Sequence, residues 1–158
     1  MSEHKEKLLK KFKDKTAVIA VLGQGYVGLP LATVFGEAGF TVIGIDPDQQ
    51  KVDSINEGKS YIEDVPTELV EKLVAEGKLS ATTDFSKIKE VDAVSICVPT
   101  PLRKTGDPDL SFILTATEEL KKHLYPGLAI VLESTTYPGT TREVVLDNVS
   151  QGSDLQVG

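Results

Sequence analysis

The sequence predicts an α/β fold in which helices cover both faces of a doubly wound parallel sheet. Short runs rich in Val and Ile alternate along the chain with longer segments of helical periodicity, and glycine or proline separates many of them. Several of the short runs are apolar without interruption, which is typical of strands buried on both faces. Strands that alternate with helices imply right-handed crossovers and therefore a parallel sheet.

The first part of the chain predicts a leading helix followed by a strand–helix–strand unit. Residues 1–15 carry six lysines with acidic residues interspersed, which indicates a solvated helix rather than a membrane-surface segment. Residues 16–22 predict a buried first strand. Apolar residues at three- and four-residue spacing then predict a helix over residues 26–38, and residues 40–45 predict the second strand.

The rest of the chain continues this alternation. We expect Thr67 to cap the helix that it opens, because a threonine hydroxyl can accept a hydrogen bond from a free amide of the first turn. The pattern assigns residues 16–158 to one domain, preceded by a charged leader over residues 1–15. The further predicted segments are, in order, helices over residues 48–57 and 67–76, strands over 79–83 and 92–98, a helix over 110–124, a strand over 128–132 and a helix over 140–149.

Length and composition exclude several classes of protein. A chain of 158 residues that is 40% hydrophobic can form one domain with a sizeable core. A formal net charge of −7 argues against a broad nucleic-acid surface, because the phosphate backbone would repel it. The longest uninterrupted apolar run, residues 17–22, is too short to span a membrane. The single cysteine fits a reducing compartment, so we expect a cytoplasmic protein with neither nucleic acid nor membrane as partner.

The turn after the first predicted strand matches a dinucleotide-binding pattern. Residues 23–28, Gly-Gln-Gly-Tyr-Val-Gly, follow a buried strand and open a helix, which is the context that G-x-G-x-x-G requires. We expect Gly23 to allow a tight turn, Gly25 to let a pyrophosphate approach the backbone, and Gly28 to let the helix pack closely on the strand. The helix N-terminus would then hold the anion. An ordinary strand–helix turn is the structural alternative.

An acidic residue follows the second predicted strand, where a ribose-binding carboxylate is expected. Asp46 would accept hydrogen bonds from the adenosine ribose hydroxyls. Asp48 would repel a 2′-phosphate, so we predict NAD rather than NADP, although Lys51 could direct a cation at the same ribose. The alternative role of Asp46 is to cap the following helix, and one side chain could do both.

Other chemistry-bearing residues do not form a recognisable site. Residues 58–60, Gly-Lys-Ser, resemble the end of a phosphate loop, but Asp53 occupies the required upstream glycine position. His4 and His123 are far apart and lack ligand-like neighbours, so no metal site is predicted. Cys97 lies in an apolar strand without a basic partner, which indicates a small buried side chain rather than a nucleophile.

Three motifs together resemble the nucleotide-sugar 6-dehydrogenases, the UDP-glucose and UDP-N-acetylhexosamine dehydrogenases. These are residues 23–32 (Gly-Gln-Gly-Tyr-Val-Gly-Leu-Pro-Leu-Ala), 97–102 (Cys-Val-Pro-Thr-Pro-Leu) and 133–141 (Glu-Ser-Thr-Thr-Tyr-Pro-Gly-Thr-Thr), each after a predicted strand. The resemblance implies a Rossmann-type NAD-binding domain. The second and third motifs look more like the UDP-N-acetylglucosamine or -mannosamine branch than the UDP-glucose branch.

The resemblance also implies an activity and a set of site residues. Family members oxidise the C6 alcohol of the sugar to a carboxylate in two NAD-dependent steps, through a thiohemiacetal on an active-site cysteine. Thr135 would help to position the water or the sugar oxygen near the nicotinamide. The residues that would contact NAD are Gly23, Gln24, Gly25, Tyr26, Val27 and Gly28 around the pyrophosphate, Asp46 and Lys51 at the ribose, and Val98, Pro99, Thr100, Ser134 and Thr135 along the rest of the cofactor.

The family's cysteine, lysine and glutamate-bearing loop lie C-terminal to the matched segment. We therefore expect an isolated NAD-binding domain that binds NAD weakly and turns over no substrate. A UDP-sugar would bind through parts of the enzyme outside this chain, and the full-length enzyme would be a homodimer or a higher oligomer. Three alternatives remain: a UDP-glucose 6-dehydrogenase, another two-domain dehydrogenase of the β-hydroxyacid type, and a non-catalytic NAD-sensing regulatory domain.

Overall fold

Strands and helices alternate along the chain, as the hydrophobic pattern predicts. The computed structural model describes residues 3–157. The strands are β1 (Val18–Leu22), β2 (Thr41–Ile45), β3 (Leu79–Thr82), β4 (Ala93–Ile96) and β5 (Ala129–Leu132). The helices are α1 (Glu3–Lys13), α2 (Gly28–Glu37), α3 (Gln49–Asn56), α4 (Thr67–Ala75), α5 (Ser111–Lys121) and α6 (Asp147–Ser150), with a 3₁₀ helix over Phe85–Glu90 and a π-helical segment over Thr141–Leu146.

The five strands form one parallel sheet in the order β3-β2-β1-β4-β5. The chain winds outward from β1 through β2 to β3, and then returns to the other side of β1 for β4 and β5. This confirms the predicted α/β fold with a doubly wound parallel sheet. The winding changes direction between β1 and β4, and ligands of such sheets bind where this change opens a crevice at the carboxyl ends of the strands.

Alternate residues of β1 enter two separate cores. Ile19 and Val21 pack on the face that carries α2, α3 and α4. Ala20 and Leu22 pack on the opposite face, which carries α5, α6 and the π-helical segment. None of the four is more than 3% exposed. Burial on both faces explains why the sequence of this strand is apolar without alternation.

The leading helix α1 has no buried residue, yet it is attached to the sheet. Its Lys11 ammonium lies 2.6 Å from a carboxylate oxygen of Asp92, just before β4. Phe12 packs edge-on against Phe40, with ring centroids 5.7 Å apart. The predicted solvated helix is therefore observed at the amino-terminal edge of the sheet. Among residues 3–157, no helix combines the length and the apolar character that crossing a membrane requires.

The prediction that Thr67 caps a helix is wrong. Helix α4 begins after Pro66, whose backbone is extended with φ of −61°, and no side chain caps its first turn. The Thr67 hydroxyl instead accepts a hydrogen bond from the Ser60 amide at 3.2 Å. Pro66 takes the capping position because its ring fixes φ near the value needed there, and this makes Thr67 the first helical residue.

Candidate nucleotide-binding site

Most of the predicted site residues lie on loops that follow β1, β2, β4 and β5, whereas Gly28 is the first residue of α2 and Lys51 lies in α3. Because these strands are parallel neighbours, their carboxyl ends share one edge of the sheet. Residues 23–28, which follow β1 and end at the first residue of α2, are called the glycine turn. It connects β1 to α2 and stands beside the point where the winding of the sheet changes direction. This is the position at which α/β sheets bind nucleotides.

The three glycines of the glycine turn have different surroundings. Gly23 has a φ of +86°, and a Cβ on it would lie 2.8 Å from the Cys97 carbonyl oxygen. A Cβ on Gly28 would overlap the Gly23 carbonyl oxygen, so only glycine lets α2 begin this close to β1. A Cβ on Gly25 would meet no atom within 4 Å. The open side of Gly25 is the geometry that an approaching pyrophosphate needs.

The glycine turn presents free backbone donors at the start of α2. Within residues 3–157, no hydrogen bond uses the amide hydrogens of Gly25, Tyr26 or Val27. The first backbone bond into the helix runs from the Leu29 amide to the Gly25 carbonyl at 3.2 Å. Tyr26 as a whole residue is 82% exposed. Free amides at a helix N-terminus, where the dipole is positive, are suited to binding an anion.

Asp46 is 5% exposed and sits at the end of β2, next to the glycine turn. Its Oδ2 accepts the Gln24 amide at 2.7 Å, and its Oδ1 accepts the Asp48 amide at 2.9 Å. The Lys51 ammonium is 3.6 Å from Oδ2. The helix-capping role belongs to Asp48, whose Oδ1 accepts the Gln50 amide at 2.9 Å. Each oxygen of Asp46 keeps a second lone pair, so the carboxylate can still accept ribose hydroxyls.

Gln24 is engaged within the protein rather than directed at a ligand. Its amide is bound by Asp46, and its side chain is fully buried. The side-chain Nε2 donates to the Val21 carbonyl at 2.8 Å. The Gln24 carbonyl accepts the hydroxyl of Tyr61 at 2.6 Å. Sequence reasoning missed Tyr61, because an isolated aromatic residue in a polar loop carries no periodic or motif signal.

The loops after β4 and β5 are joined by a serine. The Ser134 hydroxyl donates to the Val98 carbonyl at 2.8 Å, and the Ile96 carbonyl lies 3.3 Å away. Thr135 follows immediately and is exposed. The structure therefore brings Thr135 to the same edge as Val98, Pro99 and Thr100. The Ser134 hydroxyl is engaged in joining the two loops.

Cys97 is confirmed as a buried side chain. Its residue is 6% exposed, and its sulfur lies 3.7 Å from the Ser95 hydroxyl. Burial raises the pKa of the Cys97 thiol, and the nearby charge of Glu133 raises it further. A thiol that resists ionisation is a poor nucleophile. Residues 3–157 bring no three His, Cys, Asp or Glu side chains together in a way that would hold a metal ion.

Comparison with known proteins shows related sequences. Residues 17–158 match the sequence profile of the "UDP-glucose/GDP-mannose dehydrogenase family, NAD binding domain". The chain is 39% identical over 139 residues to the UDP-N-acetyl-D-mannosamine dehydrogenase of Campylobacter jejuni, covering 87% of this chain and 33% of that protein. It is 37% identical over 145 residues to the GDP-mannose 6-dehydrogenase of Pseudomonas aeruginosa, covering 89% and 33%.

Solved structures agree with these sequence matches. The NDP-N-acetyl-D-galactosaminuronic acid dehydrogenase of Methanosarcina mazei Go1 superposes with a TM-score of 0.86 at 36% identity, over 100% of this chain and 35% of that one. A ternary complex of GDP-mannose dehydrogenase from Pseudomonas aeruginosa gives 0.80 at 38% identity, over 84% and 32%. The chain thus spans about a third of the length of the relatives that it matches.

Proposed function

The chain belongs to the UDP-glucose/GDP-mannose dehydrogenase family, as an NAD-binding domain, and we propose that it serves an enzyme that oxidises C6 of a UDP-N-acetylhexosamine. The open glycine turn, with free amides next to the buried carboxylate of Asp46, carries the cofactor part of this proposal. The motifs at residues 99–102 and 136–141 support the N-acetylhexosamine branch, as do the names of two of the relatives described above.

NAD supplies the hydride acceptor for the oxidation, and the residues of this chain would bind and orient it. The amides of Gly25, Tyr26 and Val27 would donate to the pyrophosphate, with the positive end of α2 behind them. Asp46 would accept the ribose hydroxyls, with Lys51 beside it. Asp48 adds a second negative charge, which disfavours the 2′-phosphate of NADP.

The loops joined by Ser134 would line the reacting end of the cofactor. Thr135 is exposed at this edge, so its hydroxyl is free to hold a water or a sugar oxygen. Cys97 is unsuited to capturing an aldehyde, because it is buried and its pKa is raised. The second oxidation step would therefore need a nucleophile from the part of the relatives that this chain does not span. We expect the 158-residue chain alone to bind NAD and to turn over no sugar.

GDP-mannose is a second candidate substrate, and sequence similarity supports it. The GDP-mannose 6-dehydrogenase of Pseudomonas aeruginosa is nearly as similar in sequence as the N-acetylmannosamine enzyme. A GDP-hexose would require the same cofactor site and the same C6 chemistry. Turnover of UDP-N-acetylhexosamines and GDP-mannose by a longer protein that includes this domain distinguishes the two. Faster turnover of GDP-mannose would contradict our substrate proposal while leaving the NAD site intact.

The cofactor proposal is tested by titrating NAD and NADP into the 158-residue chain by calorimetry. We expect NAD to bind and NADP to bind at least tenfold more weakly, about 1.4 kcal/mol. Asp46→Ala should weaken NAD about tenfold or more, since it removes charged hydrogen bonds. Asp53→Ala is the control, because Asp53 lies on α3 and its side chain, within residues 3–157, accepts a hydrogen bond only from the exposed side-chain Nε2 of Gln49. Equal affinity of the wild-type chain and Asp46→Ala would refute the role of Asp46.

A further inference from the structure

Tyr61 connects a loop outside the predicted site to the glycine turn. It lies in the connection between α3 and α4, and its hydroxyl donates to the Gln24 carbonyl at 2.6 Å. Burial, together with the charges of Asp46 and Asp48, raises the pKa of the Tyr61 hydroxyl, burial having the larger effect. The hydroxyl therefore stays protonated at neutral pH and remains a donor.

Gln24, the acceptor of this bond, is held from several directions. Its amide donates to Asp46 at 2.7 Å, and its Nε2 donates to the Val21 carbonyl at 2.8 Å. Its side chain lies against β2 at Gly44, where an added Cβ would come within 2.7 Å of the Gln24 Cδ. The bond from Tyr61 holds the Gln24 carbonyl, whereas the buried side-chain Oε1 has no hydrogen-bond partner within residues 3–157. Tyr61 thus completes the immobilisation of the peptide that links Gln24 to Gly25.

This peptide is the one that precedes the free amides. The Gln24 carbonyl and the Gly25 amide belong to the same peptide plane, so a donor that fixes the carbonyl also fixes the direction of the Gly25 N–H. Without Tyr61, the Gln24 carbonyl would be available to the amide of Gly28, which lies four residues further along the chain and makes no hydrogen bond within residues 3–157. The tyrosine hydroxyl therefore keeps the amides of the glycine turn directed outward.

The loop that carries Tyr61 is anchored without its hydroxyl. Ile62 and Val65 are 6% and 4% exposed and belong to the core beneath α2 and α4. The Ser60 amide is bound by the Thr67 hydroxyl at 3.2 Å. Tyr61 itself is 36% exposed. These contacts hold the loop in place without the hydrogen bond from Tyr61 to Gln24. The bond is therefore not needed to fix the loop, and this indicates that it acts on the glycine turn.

We propose that Tyr61 is a positioning residue for cofactor binding: its hydroxyl orients the Gln24–Gly25 peptide so that the glycine turn meets the NAD pyrophosphate with its amides already aligned. This inference rests on the proposed NAD site and extends it to a loop that no dinucleotide motif includes. Tyr61 does not need to touch the cofactor in this role. The affinity lost on removing the hydroxyl is the measure of its contribution.

The test compares two tyrosines that donate to carbonyl oxygens. Tyr61→Phe removes the bond to Gln24. Tyr125→Phe removes the bond to the Val91 carbonyl at the amino-terminal edge of the sheet, far from the glycine turn. Losing one hydrogen bond should lower the Tm of each variant by a similar small amount, about 2–4 °C. Only Tyr61→Phe should raise the Kd for NAD, by about three- to tenfold.

The same titration with ADP-ribose, which lacks the nicotinamide, shows whether the loss of affinity arises in the part of the cofactor that carries the pyrophosphate. We expect Tyr61→Phe to weaken ADP-ribose by the same factor as NAD, since both carry the pyrophosphate and the adenosine ribose. An unchanged Kd for Tyr61→Phe, or an equal rise for Tyr125→Phe, would overturn the positioning role while leaving the NAD site in place. Absence of NAD binding by the wild-type chain would overturn the proposed function as well.

Discussion

Replacing Gly25 by alanine separates folding from cofactor binding. The φ of Gly25 is not positive, and a Cβ there would meet no atom within 4 Å. Alanine is therefore compatible with the backbone, and it reduces the conformational freedom of the unfolded chain. We expect the free energy of unfolding of Gly25→Ala to equal that of the wild-type chain or to exceed it by about 0.4–1 kcal/mol.

The same methyl group would occupy the space above the free amides of the glycine turn. A pyrophosphate held off by a carbon atom cannot approach the Gly25, Tyr26 and Val27 amides to hydrogen-bond distance. Hydrogen bonds to a charged group contribute about 1.5–3 kcal/mol each. Loss of two of them should raise the Kd for NAD by more than about 100-fold.

The assay pairs urea unfolding with calorimetric titration of NAD, and Gly28→Ala provides the contrast. A Cβ on Gly28 would overlap the Gly23 carbonyl oxygen, so Gly28→Ala should have a lower free energy of unfolding than the wild-type chain even without NAD. Gly25→Ala should lose binding alone. A Gly25→Ala protein that binds NAD as tightly as the wild-type chain would show that the pyrophosphate does not lie over this turn.

Two further predictions concern buried groups away from the glycine turn. Native Cys97 should react with iodoacetamide at pH 8 at least about tenfold more slowly than in urea, because burial raises its pKa and leaves less thiolate; equal rates measured by mass spectrometry would contradict this. Asp92→Ala should lower the free energy of unfolding by about 1–3 kcal/mol, because the Val18 amide loses its acceptor at 2.9 Å. Lys11→Ala, which breaks only the half-exposed ion pair with Asp92, should have a smaller effect in the same urea experiment.

The fold could be predicted because its central strand has an unambiguous pattern. The run over β1 is apolar at every position, since alternate side chains enter cores on opposite faces. A strand exposed on one face would instead have alternated apolar and polar residues, and such a pattern would not have indicated a parallel sheet. Helix ends were less predictable. The expected cap at Thr67 failed because Pro66 fixed the preceding backbone, a steric effect that outweighs the propensity of a single hydroxyl.

The glycine turn could also be predicted, since spacing along a strand–turn–helix unit is local information. That Asp48 rather than Asp46 caps α3 could not be predicted, because it depends on the residue at which α3 begins. The contact of Tyr61 with Gln24 spans 37 residues and arises only when the loop before α4 folds back over the sheet. Long-range contacts of this kind leave no periodic signature in a single sequence.

The crowding of Gln24 against Gly44 ties together two positions that are far apart in the chain. A methyl group at position 44 would lie within 3.0 Å of three atoms of the glutamine amide, so neither residue can change size alone without displacing the other. Relatives with a larger residue at position 44 should carry a smaller one at position 24. Anyone who redesigns this turn for another dinucleotide must therefore vary both sites as a pair.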